Sequence, residues 1–434
     1  MFAHPAMPLK AIAALGTLLS STCVTALAAD GAVSAQRVAV VTGTPGCVAL
    51  WDFVKREPDG ARRFTAQVPA GATNEFALDA GNYVKDFWGE GREATYADFP
   101  LLGRGPFGQA IRIRKEQDPT FRPLLMVPRA RLHDSAIDLK GAGQSVTLVV
   151  WAIRESGNHA LAGIWHEGTD LQENSTSAIQ RVERGQRQYA LFAGLNKAGS
   201  ACGHVSENGA QSFGHKYAMH KSHSGEDSPA VDADAPPEVL DRAWQCFAMT
   251  FDHQRHELTS WLQGRASERW ETDVKTKLPP VYNAWRQGEL HRTPGMQPGE
   301  DPAFPADQYY NPPEGQPISV KMLSETAAER IELHEFRYTR VKVTRHLAAD
   351  GTWAITDRDL ADVRLNPWWF PHDLYTPGDA HSGGPFTIGR VIHSSRSVGF
   401  TGWIGGVAVF NRALSAEEMA RMAALASDGP IPAR

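Results

Sequence analysis

The stretch 402–419, GWIGGVAVFNRALSAEEM, combines the signals of a buried strand, a turn and a helix start. Its first nine residues are apolar or glycine, which predicts a strand covered on both faces and closely approached by its neighbours. Asn411 and Arg412 supply the turn. Ser415, with Glu418 three residues later, forms a capping-box pattern that predicts a helix. We expect this helix to lie across the end of a sheet structure and to cover an edge.

Strand signals recur along the rest of the chain. Six further segments are rich in residues that favour β-strands: GCVALWDF (46–53), QAIRIRK (109–115), QSVTLVVWAI (144–153), QYALFAGL (188–195), WQCFAMTFD (244–252) and HELTSWLQG (256–264). Several of them alternate apolar with polar residues, and Gly, Asn or Asp lie between them. The last two flank a short turn and predict a hairpin. Helical periodicity is convincing in Glu417–Ala426 alone, so the sequence predicts an all-β sandwich or jelly roll.

Length alone would suggest two or three domains, but all-β domains often run long as one unit. The 434 residues are 42% hydrophobic, enough to bury a sizeable core. A formal charge of -5 with no long run of one sign argues against a nucleic-acid surface. Lys10, the apolar run 11–19 and the small residues 26–28 predict a signal peptide over residues 1–28, with translation starting at Met1 or Met7.

The mature chain is therefore expected to be secreted or periplasmic, with no transmembrane segment. We interpret residues 29–434 as a single domain with insertions near 204–240 and 270–320, because those stretches are rich in Pro, Asp or loop aromatics. Cys47, Cys202 and Cys246 remain after export. A disulfide between Cys202 and Cys246, or three unpaired buried thiols, would both fit this compartment.

The ordered motifs resemble the laminin-G-like, concanavalin-A-like jelly-roll superfamily. The resemblance covers most of residues 46–426 and rests on these stretches: LWDF (50–53), GQAIRI (108–113), SVTLVVWAI (145–153), WQCFAMTFD (244–252), LTSWLQG (258–264), FTIGRV (386–391) and the opening stretch. It implies a sandwich of two antiparallel sheets with long loop insertions and a short C-terminal helix. This superfamily contains both sugar-binding proteins and sugar-cleaving enzymes, so the fold alone does not decide the function.

Within that resemblance, the strand motif of retaining glucanases is missing. ERWETD (268–273) and IELHEF (331–336) come nearest but lack the central Asp and the required spacing. A second enzymatic route is a polysaccharide lyase, which needs a base, a proton donor and a cation facing the uronate carboxylate. His204, His215 and Tyr217 are our candidates for such catalysis, in a histidine-rich stretch that also reads as a polar surface loop.

Aromatic residues gather in segments that we predict as loops. Sugar rings stack on aromatic faces while polar side chains bind their hydroxyls. The candidate ligand-binding residues are Trp285, Tyr309, Tyr310, Trp368, Trp369 and His372. The alternative is that these rings fix the long insertions to the sandwich.

Laminin-G-like domains often hold calcium near a rim of the sandwich, so the resemblance allows a calcium ion. No ligand string such as D-x-D-x-D-G occurs, and we assign no metal ligands. The sequence favours a secreted carbohydrate-binding protein whose partner is a polysaccharide or glycan. A polysaccharide-active enzyme, lyase or glycoside hydrolase, and a cell-surface adhesion protein are the alternatives.

Overall fold

The computed structural model describes residues 31–58, 63–72, 74–156, 159–166, 186–195, 199–209, 220–292, 309–379, 383–393 and 399–427. The predicted signal peptide, residues 1–28, lies outside these ranges. The described residues form nineteen strands: β1 (Cys47–Trp51), β2 (Asp79–Asn82), β3 (Ile111–Ile113), β4 (Pro123–Val127), β5 (Val146–Arg154), β6 (His159–His166), β7 (Gln186–Ala193), β8 (Ser200–Val205), β9 (Lys221–Asp227), β10 (Gln245–Asp252), β11 (Glu257–Leu262), β12 (Arg269–Thr272), β13 (Ser319–Glu325), β14 (Glu329–Glu335), β15 (Thr339–Leu347), β16 (Trp353–Asn366), β17 (Trp368–Trp369), β18 (Phe386–Ile388) and β19 (Gly402–Phe410).

Helices are short and few in these ranges. They are α1 (31–42), α2 (Tyr83–Trp88), α3 (Arg129–Leu132), α4 (Pro237–Leu240), α5 (Val274–Lys277), α6 (Pro279–Arg292) and α7 (Ala416–Ala424). Across the described ranges, none of them has the length and apolar character needed to cross a bilayer.

The strands form three sheets. The first has the order β1-β19-β5-β10-β11-β17, with β3 also pairing with β19, and the second has the order β2-β4-β18-β6-β7-β8-β9. Neighbouring strands in both run antiparallel. Leu148 and Val150 of the first sheet share one core with Leu191 and Val205 of the second. The predicted all-β sandwich with a C-terminal helix is therefore confirmed, as is the β10–β11 hairpin.

The C-terminal helix packs on a face of the sandwich rather than across an edge. Met419 and Met422 of α7 belong to an apolar cluster on the outer side of the first sheet, together with Val149 and Trp151 of β5. The Trp151 indole Nε1 donates a hydrogen bond of 2.8 Å to the Met422 carbonyl. Since the central strands are apolar on both sides, their outer face needs a cover. The expectation that the helix covers an edge is corrected accordingly.

A third sheet, with the order β12-β16-β15-β14-β13, grows out of the segment between β11 and β17. We expected an insertion near 270–320, but the structure extends it to residue 366. The strands after residue 320 alternate charged with apolar residues and are largely half-exposed, so they lack the apolar runs of a core strand. Val341, Val343 and Leu360 nevertheless join the main core, which ties this sheet to the sandwich.

Cys47, Cys202 and Cys246 are free and buried, so the Cys202–Cys246 disulfide is wrong and the alternative of unpaired thiols is confirmed. The physical reason is their position. Cys246 lies in the cluster outside the first sheet, whereas Cys202 lies in a cluster outside the second. The whole sandwich separates the two thiols.

Candidate functional site

His204 lies on the outer face of the second sheet. Alternate residues of a strand point to opposite sides. In β8, Ala201 and Val205 join the main core, which places His204 on the other side. Its imidazole packs between two aromatic rings, with ring centroids 5.1 Å from Trp165 and 4.9 Å from Phe192. The sequence therefore buries a histidine, with 1% exposure, where a sandwich sheet usually carries surface residues.

Strand β9 adds a second row of polar side chains to this face. Ser222 points into the core, where its hydroxyl lies 2.6 Å from a serine hydroxyl of β11. Lys221 and His223 therefore point outward. In register, Lys221 is opposite His204 and His223 is opposite Cys202. We call this surface the histidine face, defined by Trp165, Phe192, Cys202, His204, Lys221 and His223.

Burial and neighbouring cations determine the protonation of His204. Burial is the largest cause that lowers the pKa of His204 well below its ordinary range. Four cationic or protonatable side chains lower it further: Lys221, His223, Arg187 and His220. His204 is therefore a neutral imidazole at neutral pH, close to cationic side chains. A neutral imidazole beside cations suits the recognition of an anion.

The Cys202 thiol beside His223 is not an activated nucleophile. Its sulfur lies 3.7 Å from the His223 Nε2, and the other ring nitrogen lies 3.0 Å from the Ser200 hydroxyl. Burial raises the pKa of Cys202 to about 12. The thiol therefore stays protonated, and thiolate chemistry is disfavoured.

A second polar group lies at the adjacent rim, just beyond the ends of β8 and β9. We call it the rim group: Glu207, His220 and His372. The His220 Nε2 lies 3.2 Å from a Glu207 carboxylate oxygen. One possible ligand atom from each of the three side chains lies within 4.8 Å of the others. The ring of Phe370 contacts that of His220 at 4.9 Å and holds it in place. This donor set could hold a metal ion.

A third titratable group, around Asp138, is already neutralised. One possible ligand atom from each of His133, Asp134 and Asp138 lies within 4.8 Å of the other two. However, the buried Asp138 carboxylate accepts hydrogen bonds from Arg129 at 2.7 Å and Lys140 at 2.6 Å. Two cations already occupy its oxygens, so this group is an ion-pair network.

The predicted ligand-binding rings mostly lie in the core. Trp285, Tyr310 and Trp368 are 1%, 2% and 0% exposed. Tyr310 stacks on Trp368 with centroids 4.5 Å apart, and it contacts Trp369 at 5.8 Å. Tyr309 and Trp369 are partly buried against the same cluster. The buried three offer no face to a ligand in this conformation, and their packing fits the alternative that they fix the insertion to the sandwich.

The remaining site predictions divide between the two polar groups and residues that the structure does not describe. His204 lies in the histidine face and His372 in the rim group, whereas His215 and Tyr217 lie outside the described residues. The structure adds Trp165 and Arg187, which sequence reasoning missed. They come from strands distant in sequence, so only the sheet pairing could reveal them.

Two open grooves also occur in the described structure. One, of about 820 Å³, runs along the third sheet, and the other, of about 870 Å³, lies beside β3 and the start of β19. The polar side chains of the first groove pair among themselves, as in the 2.7 Å contact between His334 and Glu332 and the 2.5 Å contact between Arg358 and Glu314. The second contains the pair of Arg112 with Glu155. Both grooves therefore offer mainly compensated charge.

No protein-family model matches this sequence, and no curated protein matches it either. Several solved structures align with it weakly. The binding domain of Botulinum neurotoxin serotype G is 7% identical over 87% of this chain and 50% of that chain, with a TM-score of 0.30. Domain 4 of AbnA, an extracellular GH43 arabinanase from Geobacillus stearothermophilus solved with arabinotriose, is 10% identical over 80% and 88%, with a TM-score of 0.27.

The CBM40 domain of the Ruminococcus gnavus IT-sialidase, bound to α2,3-sialyllactose, is 11% identical over 72% of this chain and 94% of that chain, with a TM-score of 0.29. The alignment spans about half the length of the toxin domain. Likenesses this low carry no argument about the function of this chain.

Proposed function

We propose that this protein is a secreted, concanavalin-A-like glycan-binding protein whose ligand is an acidic polysaccharide. The observation that carries the proposal is the histidine face, where a neutral His204 lies between aromatic rings in the field of Lys221 and Arg187. Carboxylate or sulfate groups pair strongly with such cations, and the apolar face of a sugar packs on aromatic rings. Acidic sugars offer both features in one ligand.

The ligand would enter from the rim. Side chains of the histidine face are nearly fully buried, whereas the Glu207 side chain is 13% exposed and His372 is half-buried. Glu207 follows the end of β8 and Lys221 begins β9 opposite His204, so a chain end that enters past the rim group reaches the Lys221 end of the histidine face. Recognition of a terminal acidic sugar fits this entry better than recognition along a polymer.

Binding is tested with affinity electrophoresis and calorimetry on matched acidic and neutral glycans, such as oligogalacturonate or oligoalginate against arabinan and cellulose fragments. We expect binding to an acidic glycan that weakens as salt rises, because the contact is electrostatic. Lys221→Gln should weaken it at least tenfold. Lys342→Gln, which removes a cation from the third sheet, is the matched control and should bind as the unmodified protein does.

Failure of every acidic glycan to bind would overturn the proposal. Binding that survives Lys221→Gln and His204→Gln unchanged would place the glycan at another surface. Secretion is tested separately, by sequencing the N-terminus of the protein recovered outside the cytoplasm, where cleavage after Ala28 is expected.

A second candidate is lyase activity at the same face, favoured by an unprotonated His204 whose strand partner is Lys221. A neutral imidazole could accept the proton next to the carboxylate of a uronate, while Lys221 and Arg187 stabilise the charge that develops. The glycosidic oxygen leaves with a proton, and a C=C bond forms in the product. Tyr217 is our proposed donor of that proton, on sequence grounds alone.

The new double bond absorbs ultraviolet light, so absorbance during incubation with acidic polysaccharides separates the two functions. A lyase should lose turnover in both His204→Gln and Tyr217→Phe, and Tyr217→Phe should still bind substrate. Binding without any rise in absorbance or reducing ends would leave glycan binding as the function.

A further inference from the structure

We infer that the rim group binds a divalent transition metal of the zinc class, through Glu207, His220 and His372. This inference goes beyond glycan binding and does not depend on it. It rests on the geometry of the three side chains, on the absence of hydrogen bonds to the His220 ring nitrogens and on the chemistry of the donor set.

The spacing of the donors matches a tetrahedral ion. Ligands about 2.0–2.1 Å from a tetrahedral zinc lie about 3.3 Å from each other. The His220 Nε2 and a Glu207 oxygen are 3.2 Å apart. The ring centroids of His220 and His372 are 5.5 Å apart, and all three donor atoms fall within 4.8 Å. A small side-chain rotation of His372 would complete a three-ligand site.

His220 has unsatisfied polar atoms. Its side chain is buried, with 7% of the residue exposed, and neither ring nitrogen makes a hydrogen bond. The 3.2 Å approach of Nε2 to the Glu207 carboxylate lacks hydrogen-bond geometry. A buried polar atom without a hydrogen bond destabilises a fold. A metal ion on Nε2 would remove part of that deficit.

The donor types select the ion. Two imidazole nitrogens and one carboxylate oxygen suit zinc and its neighbours, whereas calcium and magnesium take sets made only of oxygen. The calcium ion allowed by the sequence resemblance therefore does not fit this group. Three protein ligands leave a fourth position for water or a ligand oxygen, as in zinc sites that are open to substrate.

The contrast with the Asp138 group supports the assignment. Asp138 is held by Arg129 and Lys140, so a metal there would have to displace two cations. In the rim group, Glu207 instead faces a histidine whose neutral form is a good ligand. Proximity of the donor atoms is therefore common to both groups, and the histidine facing Glu207 is what favours a metal in the rim group.

The test uses untagged, full-length mature protein, stripped with a chelator and titrated with ZnCl₂ in calorimetry and in competition with a zinc indicator. We expect one zinc ion per chain and a rise in Tm on binding. His372→Ala and Glu207→Gln should each weaken zinc binding at least tenfold and reduce the Tm shift. Co²⁺ should give the visible absorption of a tetrahedral site.

His253→Ala is the matched control. His253 pairs with Asp373 at 2.9 Å, next to His372 in the same segment, and should not affect zinc binding. His220→Phe, which suits the apolar neighbour Phe370, should fold without zinc and show no zinc-dependent Tm shift. Absence of zinc binding by the unmodified protein, or binding that His372→Ala and Glu207→Gln leave unchanged, would overturn the inference.

Discussion

His204 shows how burial sets the charge of a single residue. Its ring is enclosed by Trp165 and Phe192, so protonation would place a charge among apolar surfaces and near Lys221. Both effects favour the neutral form and lower its pKa in the folded state. In the unfolded chain the imidazole returns to its ordinary pKa of about 6.5. The difference makes His204 a source of pH-dependent stability.

The sign follows from proton binding. Below about pH 6.5 the unfolded chain binds a proton at this histidine and the folded chain does not, so the free energy of unfolding falls as pH falls. The loss reaches at most about 1.4 kcal/mol per pH unit for one group. We expect the unmodified protein to lose about 1 kcal/mol more than His204→Gln between pH 7 and pH 5.5.

Urea unfolding at the two pH values, with a chelator present throughout, measures this difference. His346→Gln, which removes an exposed histidine, is the control and should retain the full loss. An equal loss in His204→Gln and in the unmodified protein would show that His204 titrates normally in the fold.

At the level of elements, the packing of β19 depends on its adjacent glycines, Gly405 and Gly406. The pairing of β19 with β5 shifts register between Ile404 and Gly406, which marks an irregularity in the strand. A Cβ placed on Gly406 would lie 2.5 Å from the Phe107 ring and 3.2 Å from Trp151. These rings are buried and have little room to move. The central strand therefore requires a residue without a side chain here.

Gly406→Ala should lower the free energy of unfolding by about 1–3 kcal/mol, since extra atoms in a packed core force neighbours away from their preferred positions. Gly315→Ala is the control, because a Cβ there meets nothing within 4 Å and the backbone is not left-handed. Urea unfolding should separate the two variants. Similar stability in both would mean that the Phe107 ring relocates without cost.

The sequence predicts those strands and helices whose pattern lies within a short run of consecutive residues. The apolar run of β19 and the capping box of α7 were readable because both are local patterns. Strands of the third sheet were not, because β14 alternates Ile331 and Leu333 with charged residues and stays half-exposed. The residues of the histidine face and its surroundings were predictable to the same extent. His204 stood out in a histidine-rich stretch, but Arg187 joins it only through the pairing of β7 with β8.

At the level of the molecule, one core extends through all three sheets. The cluster between the first two sheets also contains Trp285 of α6 and Val363 of β16. Asn366, at the end of β16, is fully buried, and its amide donates to the Ser260 and Ser267 carbonyls at 2.9 Å each. Its carbonyl oxygen accepts from the Ser260 amide at 2.8 Å. The third sheet is therefore joined to the sandwich by packing and by buried hydrogen bonds.

This continuity supports our proposal of a single domain and leads to a test by cooperative unfolding. Tryptophans lie in the sandwich and in the insertion, at Trp151 and Trp285, so their fluorescence reports both parts. If the two parts form one unit, the fluorescence and far-ultraviolet circular dichroism curves in urea coincide. An insertion that folds independently would give two transitions.

Asn366→Ala sharpens the test, because the Asn366 amide makes two buried hydrogen bonds with Ser260 of the sandwich. Each partner left unsatisfied lowers stability by about 1–3 kcal/mol. In a single cooperative unit, both curves move together to a lower urea midpoint, since loss of the junction destabilises everything that unfolds with it. If the two parts were independent domains, the sandwich transition would stay where it is and only the transition of the third sheet would move.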